Sequence, residues 1–293
     1  PLRIIVPFVP GSFTDLAARA MAVELTGRLG QQVIVDNRTG AGGTIGTETV
    51  ARAAPDGHTL LFFTNSFTTA PGLYAKLPYD PVKSFTHVSL VAESPSILLL
   101  RLQVPAKTVE ELVELARSRP GELTFGSGGQ GSSAHLAMEL FLHLTGTRML
   151  HVPFKGVATS VIEVAAGRID SSIASLASGV AQVSAGKIQG LGVTGRERSP
   201  LLPGVPTFAE AGYPRYDMSY WWAIGAPAGT PPRIVSRLNQ EIAKAADTGK
   251  LKELFLSQGA RAVTSSPAEL ARRISEETRT WKDLIVKAGI KPE

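Results

Sequence analysis

Leu2-Arg3-Ile4-Ile5-Val6-Pro7-Phe8-Val9-Pro10-Gly11-Ser12 reads as an apolar, β-branched strand broken by a proline- and glycine-bearing loop. Helical periodicity follows over Leu16–Leu29, so the segment is strand, loop, helix. Val33–Val35 repeats the strand, and Asn37-Arg38-Thr39-Gly40-Ala41-Gly42-Gly43 turns into a helix reaching about Arg52. Leu60–Phe63 is a third strand, ending in the small polar run Thr64-Asn65-Ser66. Strands alternating with helices predict βαβ units, which wind right-handed and build a parallel sheet covered on both faces.

Downstream, Val88–Val91 and Ile97–Leu100 read as two more strands. Thr108 with Glu111 has the spacing of a capping box, opening a helix to about Ser118. A second α/β series follows: strands Leu123–Gly126, Met149–Val152, Ser171–Ala174 and Leu191–Thr194, with helices Ser132–Leu144, Val157–Ala166 and Ser178–Ala185 between them. Pro200–Tyr216 is rich in proline and glycine and should be irregular. Tyr220–Ala226 returns as a strand, Pro231 starts a helix through about Asp247, and helices over Leu251–Gln258 and Pro267–Ala288 follow. If the strand near Trp222 crosses back to the first sheet, the first lobe is discontinuous: 1–100 plus 224–293, with 101–223 as the second lobe. Two such crossings form a hinge on which lobes open and shut.

The 293 residues, 43% of them hydrophobic, suffice for two lobes of ordinary domain size. No stretch approaches the roughly 20 apolar residues of a membrane-spanning helix. With no cysteine, disulfides, thiolate metal sites and cysteine nucleophiles are excluded together. The formal net charge of +5 is spread out, and the densest basic pairs, Arg196/Arg198 and Arg272/Arg273, lack interleaved aromatics. Nucleic acid is therefore not an expected partner, whereas a mild positive field suits an anionic solute.

Four segments join glycine and small hydroxyl residues at strand ends, where open α/β sheets bind ligands: Gly11–Asp15, Thr64–Thr68, Ser127–His135 and Gly156–Ser160. Each precedes a helix start whose first N–H groups lack internal partners and favour an anion. Asp15 would repel a carboxylate and is read as a cap or loop organiser; the whole first segment also fits an ordinary capped helix start. Phe13, an aromatic at a loop tip, is read as lining a cleft. Gly126-Ser127-Gly128-Gly129-Gln130-Gly131 matches G-x-G-x-x-G, but no acidic residue stands about 20 positions on; Arg148 or Lys155 would have to meet a 2′-phosphate instead. His58, His87, His143 and His151 show neither metal spacing nor a catalytic setting and are read as structural or exposed. His135, in a first helical turn beside the glycine loop, either touches a ligand or supports a cap. Lys155 is a clamp or a solvated side chain, Asp170 an organiser of backbone N–H groups or merely a strand start. Trp221 and Trp222 are read as core packing at the crossing.

Taken in order, these segments resemble the periplasmic receptors of tripartite tricarboxylate transporters, the Bug-type solute-binding proteins. The resemblance spans nearly the whole chain. It rests on Ile5-Val6-Pro7-Phe8-Val9-Pro10-Gly11-Ser12-Phe13-Thr14-Asp15, Val35-Asp36-Asn37-Arg38 through Gly40-Ala41-Gly42-Gly43 and Gly46, and Ala54-Pro55-Asp56-Gly57-His58-Thr59-Leu60. Tyr79-Asp80-Pro81, Gly126–Leu136 and His151-Val152-Pro153-Phe154-Lys155-Gly156 through Gly167-Arg168-Ile169-Asp170 complete it. It implies an α/β, two-lobe Venus-flytrap fold with a mixed, mainly parallel sheet in each lobe. It also implies a periplasmic protein whose leader has been removed, no catalysis and no cofactor, and a monomer that hands its solute to a membrane permease. The implied solute is a small organic carboxylate: a di- or tricarboxylate, an acidic amino acid or an aromatic acid. Carried over by position, its contacts would be Ser12, Phe13 and Thr14; Thr64, Asn65 and Ser66; Ser127, Gly128, Gly129, Ser132 and His135; and Ala158, Thr159 and Asp170. Ser12 stands where the family usually has a second glycine, offering an extra hydroxyl, and Phe13 would favour an aromatic or longer-chain acid. A ligand sensor for a membrane kinase is the alternative within binding proteins, and an NADP-dependent oxidoreductase using Gly126–Gly131 the alternative from another class.

Overall fold

The computed structural model describes residues 1–130, 132–195, 197–216 and 218–287, with only the backbone of Ala41. Gly131, Arg196 and Ala288, which figure in the sequence reading, lie outside the described residues. By internal packing the chain forms two units. Unit 1 comprises Pro1–Glu93, Trp221–Ser257 and the chain from Arg261 onward; unit 2 comprises Ser94–Tyr220 and Gln258–Ala260.

Unit 1 begins with β1 (Leu2–Val6), α1 (Phe13–Leu29), β2 (Val33–Asn37), a 3-10 turn (Ala41–Gly43), α2 (Thr44–Ala51), β3 (Thr59–Thr64) and α3 (Ser66–Leu73). β4 (Phe85–Leu100) starts in unit 1 and ends in unit 2. Unit 2 continues with α4 (Val109–Ser118), β5 (Thr124–Ser127), α5 (Ser133–Thr145), β6 (Leu150–Pro153), α6 (Val157–Ala165), β7 (Ser171–Ser175), α7 (Leu176–Ser184) and β8 (Gln189–Val193). β9 (Ser219–Pro227) returns the chain to unit 1, followed by α8 (Pro232–Ala246), α9 (Gly249–Ser257), β10 (Arg261–Ala262) and α10 (Pro267–Lys287).

In unit 1 the strand order is β2-β1-β3-β9-β4, with β10 also on β4. β1 runs parallel to both β2 and β3, and β9 is antiparallel to β3. Flanked by strands and covered on both faces, β1 buries Leu2, Ile4, Ile5 and Val6, which is why it reads as an unbroken apolar run. Its core adds Phe63, Phe67, Tyr79, Phe85, Trp221, Leu270 and Ile274. In unit 2, β5 lies parallel between β6 and β7, while β4 is antiparallel to β7 and β8. Ile97, Leu99, Val161, Val164, Ala174 and Val193 pack its core. Each sheet is thus mixed, and the fold is the two-lobe α/β fold of periplasmic binding proteins.

The structure departs from the sequence reading at several elements. The two strands expected at Val88–Val91 and Ile97–Leu100 are one, β4. Pro95 between them lacks an N–H but is compatible with extended backbone, and its neighbours find partners: Ser94 Oγ donates to Gly259 O at 2.8 Å, and Ser96 N to Thr194 Oγ1 at 2.7 Å. The chain accordingly passes between units inside strands, at Glu93/Ser94 and Tyr220/Trp221, several residues ahead of the boundaries read at 100/101 and 223/224. Thr64-Asn65-Ser66 leads directly into α3, a helix hidden from periodicity by Pro71 and its short length. The two-residue β10 left no pattern to read. α1 begins at Phe13, three residues before the periodicity, because Ser12 caps it.

Candidate functional site

In unit 1 the sheet order places the ends of the parallel strands β1 and β3 side by side, and with them the loops into α1 and α3. Ser12 Oγ accepts from Asp15 N at 3.3 Å and caps α1. Asp15 organises the loop as expected: it accepts from Gly11 N at 3.0 Å, Arg19 Nε at 3.1 Å and Asn37 Nδ2 at 2.9 Å. Burial pushes its carboxyl upward, but these hydrogen bonds and the Arg19 charge hold it below the ordinary carboxylate value. Thr14 is buried and its hydroxyl accepts from Trp222 Nε1 at 2.9 Å. Trp222 is also the register partner of Thr64, so β9 ties the two loops together. Thr64 Oγ1 and Ser66 Oγ lie 2.9 Å apart, and buried Asn65 stands between them in sequence.

Phe13 is not a loop tip. It is the first residue of α1, half-buried, with its ring packed edge-to-face on Trp222 at 4.5 Å and on Phe255 at 5.7 Å between centroids. A small aromatic-walled pocket of unit 1 lies elsewhere. Phe8, Phe63, Phe67 and Tyr79 line a pocket of about 220 Å³ empty volume, counting its solvent-open part, with Ser66 and Gly43 also on its wall. Burial pushes the Tyr79 phenol up to about 12. Sequence reasoning missed this pocket because its lining comes from four stretches distant in the chain, Pro7–Phe8, Gly42–Thr47, Phe63–Phe67 and Tyr79.

Unit 2 gathers the remaining residues more tightly. Ser127 ends β5, Gly128 and Gly129 form the following loop, and Ser132 caps α5 by accepting from His135 N at 3.3 Å. β6, parallel to β5, delivers the N-terminus of α6 to the same edge, with Gly156 as its cap and Ala158 and Thr159 exposed in its first turn. The approach is close. A Cβ at Gly128 would stand 3.0 Å from Val157 N, and one at Gly129 would stand 3.3 Å from Phe154 O. Gly129 also has φ +117°, which other residues rarely adopt. Two helix N-termini therefore meet at a glycine loop, and the positive ends of their dipoles favour an anion.

Ser127 is fully buried and its hydroxyl is engaged: Gly129 N donates to it at 3.1 Å, it lies 3.0 Å from Gly129 O, and His151 Nε2 is 2.6 Å away. His151 stacks on His135 at 3.9 Å between ring centroids and on Phe125 at 4.9 Å. His135 is itself buried, with Nε2 3.5 Å from Glu139 Oε1. Burial and the neighbouring His135, opposed by Glu139, lower the His151 imidazole to about 4. The sequence reading treated His151 as incidental; parallel pairing of β5 with β6 is what brings it beside Ser127. Lys155 is exposed.

Asp170 is the exception. It accepts from Thr124 N at 2.7 Å and Thr124 Oγ1 at 2.8 Å, and pairs with Arg101 at 2.8 Å. Thr124 opens β5 and Ser127 closes it, so Asp170 sits at the opposite end of the strand from the glycine loop, about 10 Å away at 3.3 Å per residue. It is the organiser of backbone N–H groups, not a companion of Ser127–Gly129. The G-x-G-x-x-G spacing also has a packing origin: a Cβ on Gly126 would meet Ile169 Cδ1 at 2.3 Å and Ser160 Cβ at 2.9 Å. Gly126 thus lets α6 lie on β5, where Ser172 Oγ donates to Gly126 O at 3.0 Å and contacts Ser160 Oγ at 3.0 Å. Among the described residues no group of three or more His, Asp or Glu side chains is placed to hold a metal, and no helix is long and apolar enough to cross a membrane.

Mixed α/β units with capped helix starts and glycine loops at their strand ends define the class of solute-binding proteins. The family model of the tripartite tricarboxylate transporter family receptor matches residues 17–290, and the chain belongs to that family. It is 36% identical over 293 residues to protein BugT of Bordetella pertussis, spanning 99% of this chain and 90% of the relative. A Rhodopseudomonas palustris protein solved with adipate is 35% identical with a TM-score of 0.90, over 100% of this chain and 98% of that one. A second R. palustris protein, MatC with bound malate, is 33% identical with a TM-score of 0.87, over 97% and 98%. A further neighbour, the periplasmic binding protein BugD, is 31% identical with a TM-score of 0.88, over 100% of this chain and 99% of that one.

Proposed function

We propose that this chain is an extracytoplasmic receptor that captures a small organic carboxylate, without acting on it chemically, and delivers it to the membrane permease of a tripartite transporter. The observation that carries the reading is the junction of the α5 and α6 N-termini at Gly128-Gly129. There the positive ends of two helix dipoles meet at a glycine loop, which supports an anion. Ser132, Ala158 and Thr159 border this junction, and Ser127 and His135 lie behind it. Ser12, Thr14, Thr64, Asn65 and Ser66 form a second polar group in unit 1, beside the aromatic pocket. The relatives solved with adipate and malate support a dicarboxylate. Membership of a transporter-receptor family supports a periplasmic location.

Mass spectrometry of solute released from freshly purified, denatured protein tests the reading directly, since tight receptors carry their solute through purification. Calorimetric titration with adipate, malate, citrate, glutamate and an aromatic acid complements it. Binding of at least one acid is expected; a released nucleotide, or no acid bound at millimolar concentration, would overturn the proposal.

A further inference from the structure

The Ser127 hydroxyl has one proton and, among the described residues, three hydrogen-bonding neighbours. Gly129 N–H donates to it at 3.1 Å, and Gly129 O lies 3.0 Å away as an acceptor. His151 Nε2, at 2.6 Å, completes the set. All three contacts are hydrogen bonds at once only if Ser127 donates to Gly129 O and the imidazole donates its Nε2 proton to Ser127. The ring that makes this donation is clamped: it lies parallel to His135 within 8° at 3.9 Å and to Phe125 within 21° at 4.9 Å.

We propose that His151, donating through Ser127, is the positioning residue that holds the Gly128-Gly129 loop in its anion-receiving conformation. This rests on the carboxylate reading above and adds a residue to it. The physical reason is that glycine is the least constrained backbone. A loop of two glycines keeps one conformation for a ligand only if something else holds it in place, and here a buried side chain fastens both polar groups of Gly129. The α6 N-terminus packs close to the same loop, since a Cβ at Gly128 would stand 3.0 Å from Val157 N and one at Gly129 3.3 Å from Phe154 O. The clamped ring sets Ser127, Ser127 sets Gly129, and the preordered loop spares the ligand the cost of ordering it.

The test uses the full chain with adipate and malate as probes and five proteins: wild type, S127A, H151F, H151Q and the S127A/H151F double variant. H151F keeps an aromatic ring for the stack and loses the donor; H151Q keeps a donor and loses the ring. Expected are about tenfold weaker binding for S127A and for H151F, and a double variant no weaker than either single one. H151Q should recover most of the loss although its ring stack is gone. Amide hydrogen exchange at Gly129 in the ligand-free proteins should accelerate in S127A and H151F and stay slow in H151Q. H151F binding like wild type, losses that add in the double variant, or H151Q as weak as H151F would each overturn the proposal. If wild type binds neither acid, the exchange pattern still decides: a Gly129 amide indifferent to H151F refutes the positioning role, whereas the expected pattern upholds it and leaves the carboxylate reading as the failure.

Discussion

His87 shows how much one side chain changes in meaning once its surroundings are known. In the sequence it is an unremarkable histidine; in the structure it is 5% exposed, 6.3 Å from the Phe67 ring, with neither nitrogen bonded among the described residues. Burial lowers its imidazole to about 4. The unfolded chain, with an ordinary histidine near 6.5, therefore binds more protons than the native state between those values. Stability from neutral His87 is fully present above pH 6.5, falls as pH drops from 6.5 to 4, and is lost below, by roughly 3 kcal/mol in total. Urea denaturation of His87→Leu across that range should show a flatter profile than wild type; a parallel profile would refute the assignment. Two other residues permit equally direct tests. Asp15→Ala strips partners from Gly11, Arg19 and Asn37 together and should cost about 2–4 kcal/mol in urea melts. Gly128→Ala would place a methyl 3.0 Å from Val157 N, and calorimetry should find carboxylate affinity reduced at least about tenfold in a protein that still folds.

At the scale of elements, what could be read was what leaves a local pattern. The βαβ alternation, the buried run of β1 and the Thr108 cap were visible because each depends on residues a few positions apart. Thr108 Oγ1 indeed accepts from Glu111 N at 3.1 Å. Thr108→Ala should cost about 1 kcal/mol in thermal or urea melts, while adipate binding stays unchanged because α4 lies outside the glycine-loop junction. What could not be read depends on partners distant in the chain. Pro95 looked like a break until Gly259 and Thr194 were seen to satisfy its neighbours. Asp170 looked like part of the binding region, since it follows the Gly156 segment closely in sequence, but parallel pairing sends it to the far end of β5. His151 was overlooked for the converse reason: 24 residues from Ser127 in sequence, it is brought to hydrogen-bond distance by strand pairing. The Phe13 ring packs on Trp222 and Phe255, partners distant in the chain that no local pattern could show.

For the whole molecule, the formal charge of +5 is consistent with capture of anions, since a diffuse positive field raises their encounter rate. Its bound acid should also reveal itself in stability. A ligand that recognises only the native state at 100 times its dissociation constant adds about 2.7 kcal/mol. Differential scanning fluorimetry should therefore show a rise in melting temperature with the cognate acid and none with its uncharged amide. The composition of the units has a consequence for how the protein is made. Ser94–Tyr220, nearly all of unit 2, leaves the ribosome as one uninterrupted piece, whereas the unit 1 core waits for Trp221, Leu270 and Ile274. A nascent chain stopped near residue 240 should already carry a protease-resistant middle flanked by unfinished ends. The first-translated strands, by contrast, stay unpaired with β9 until late in synthesis.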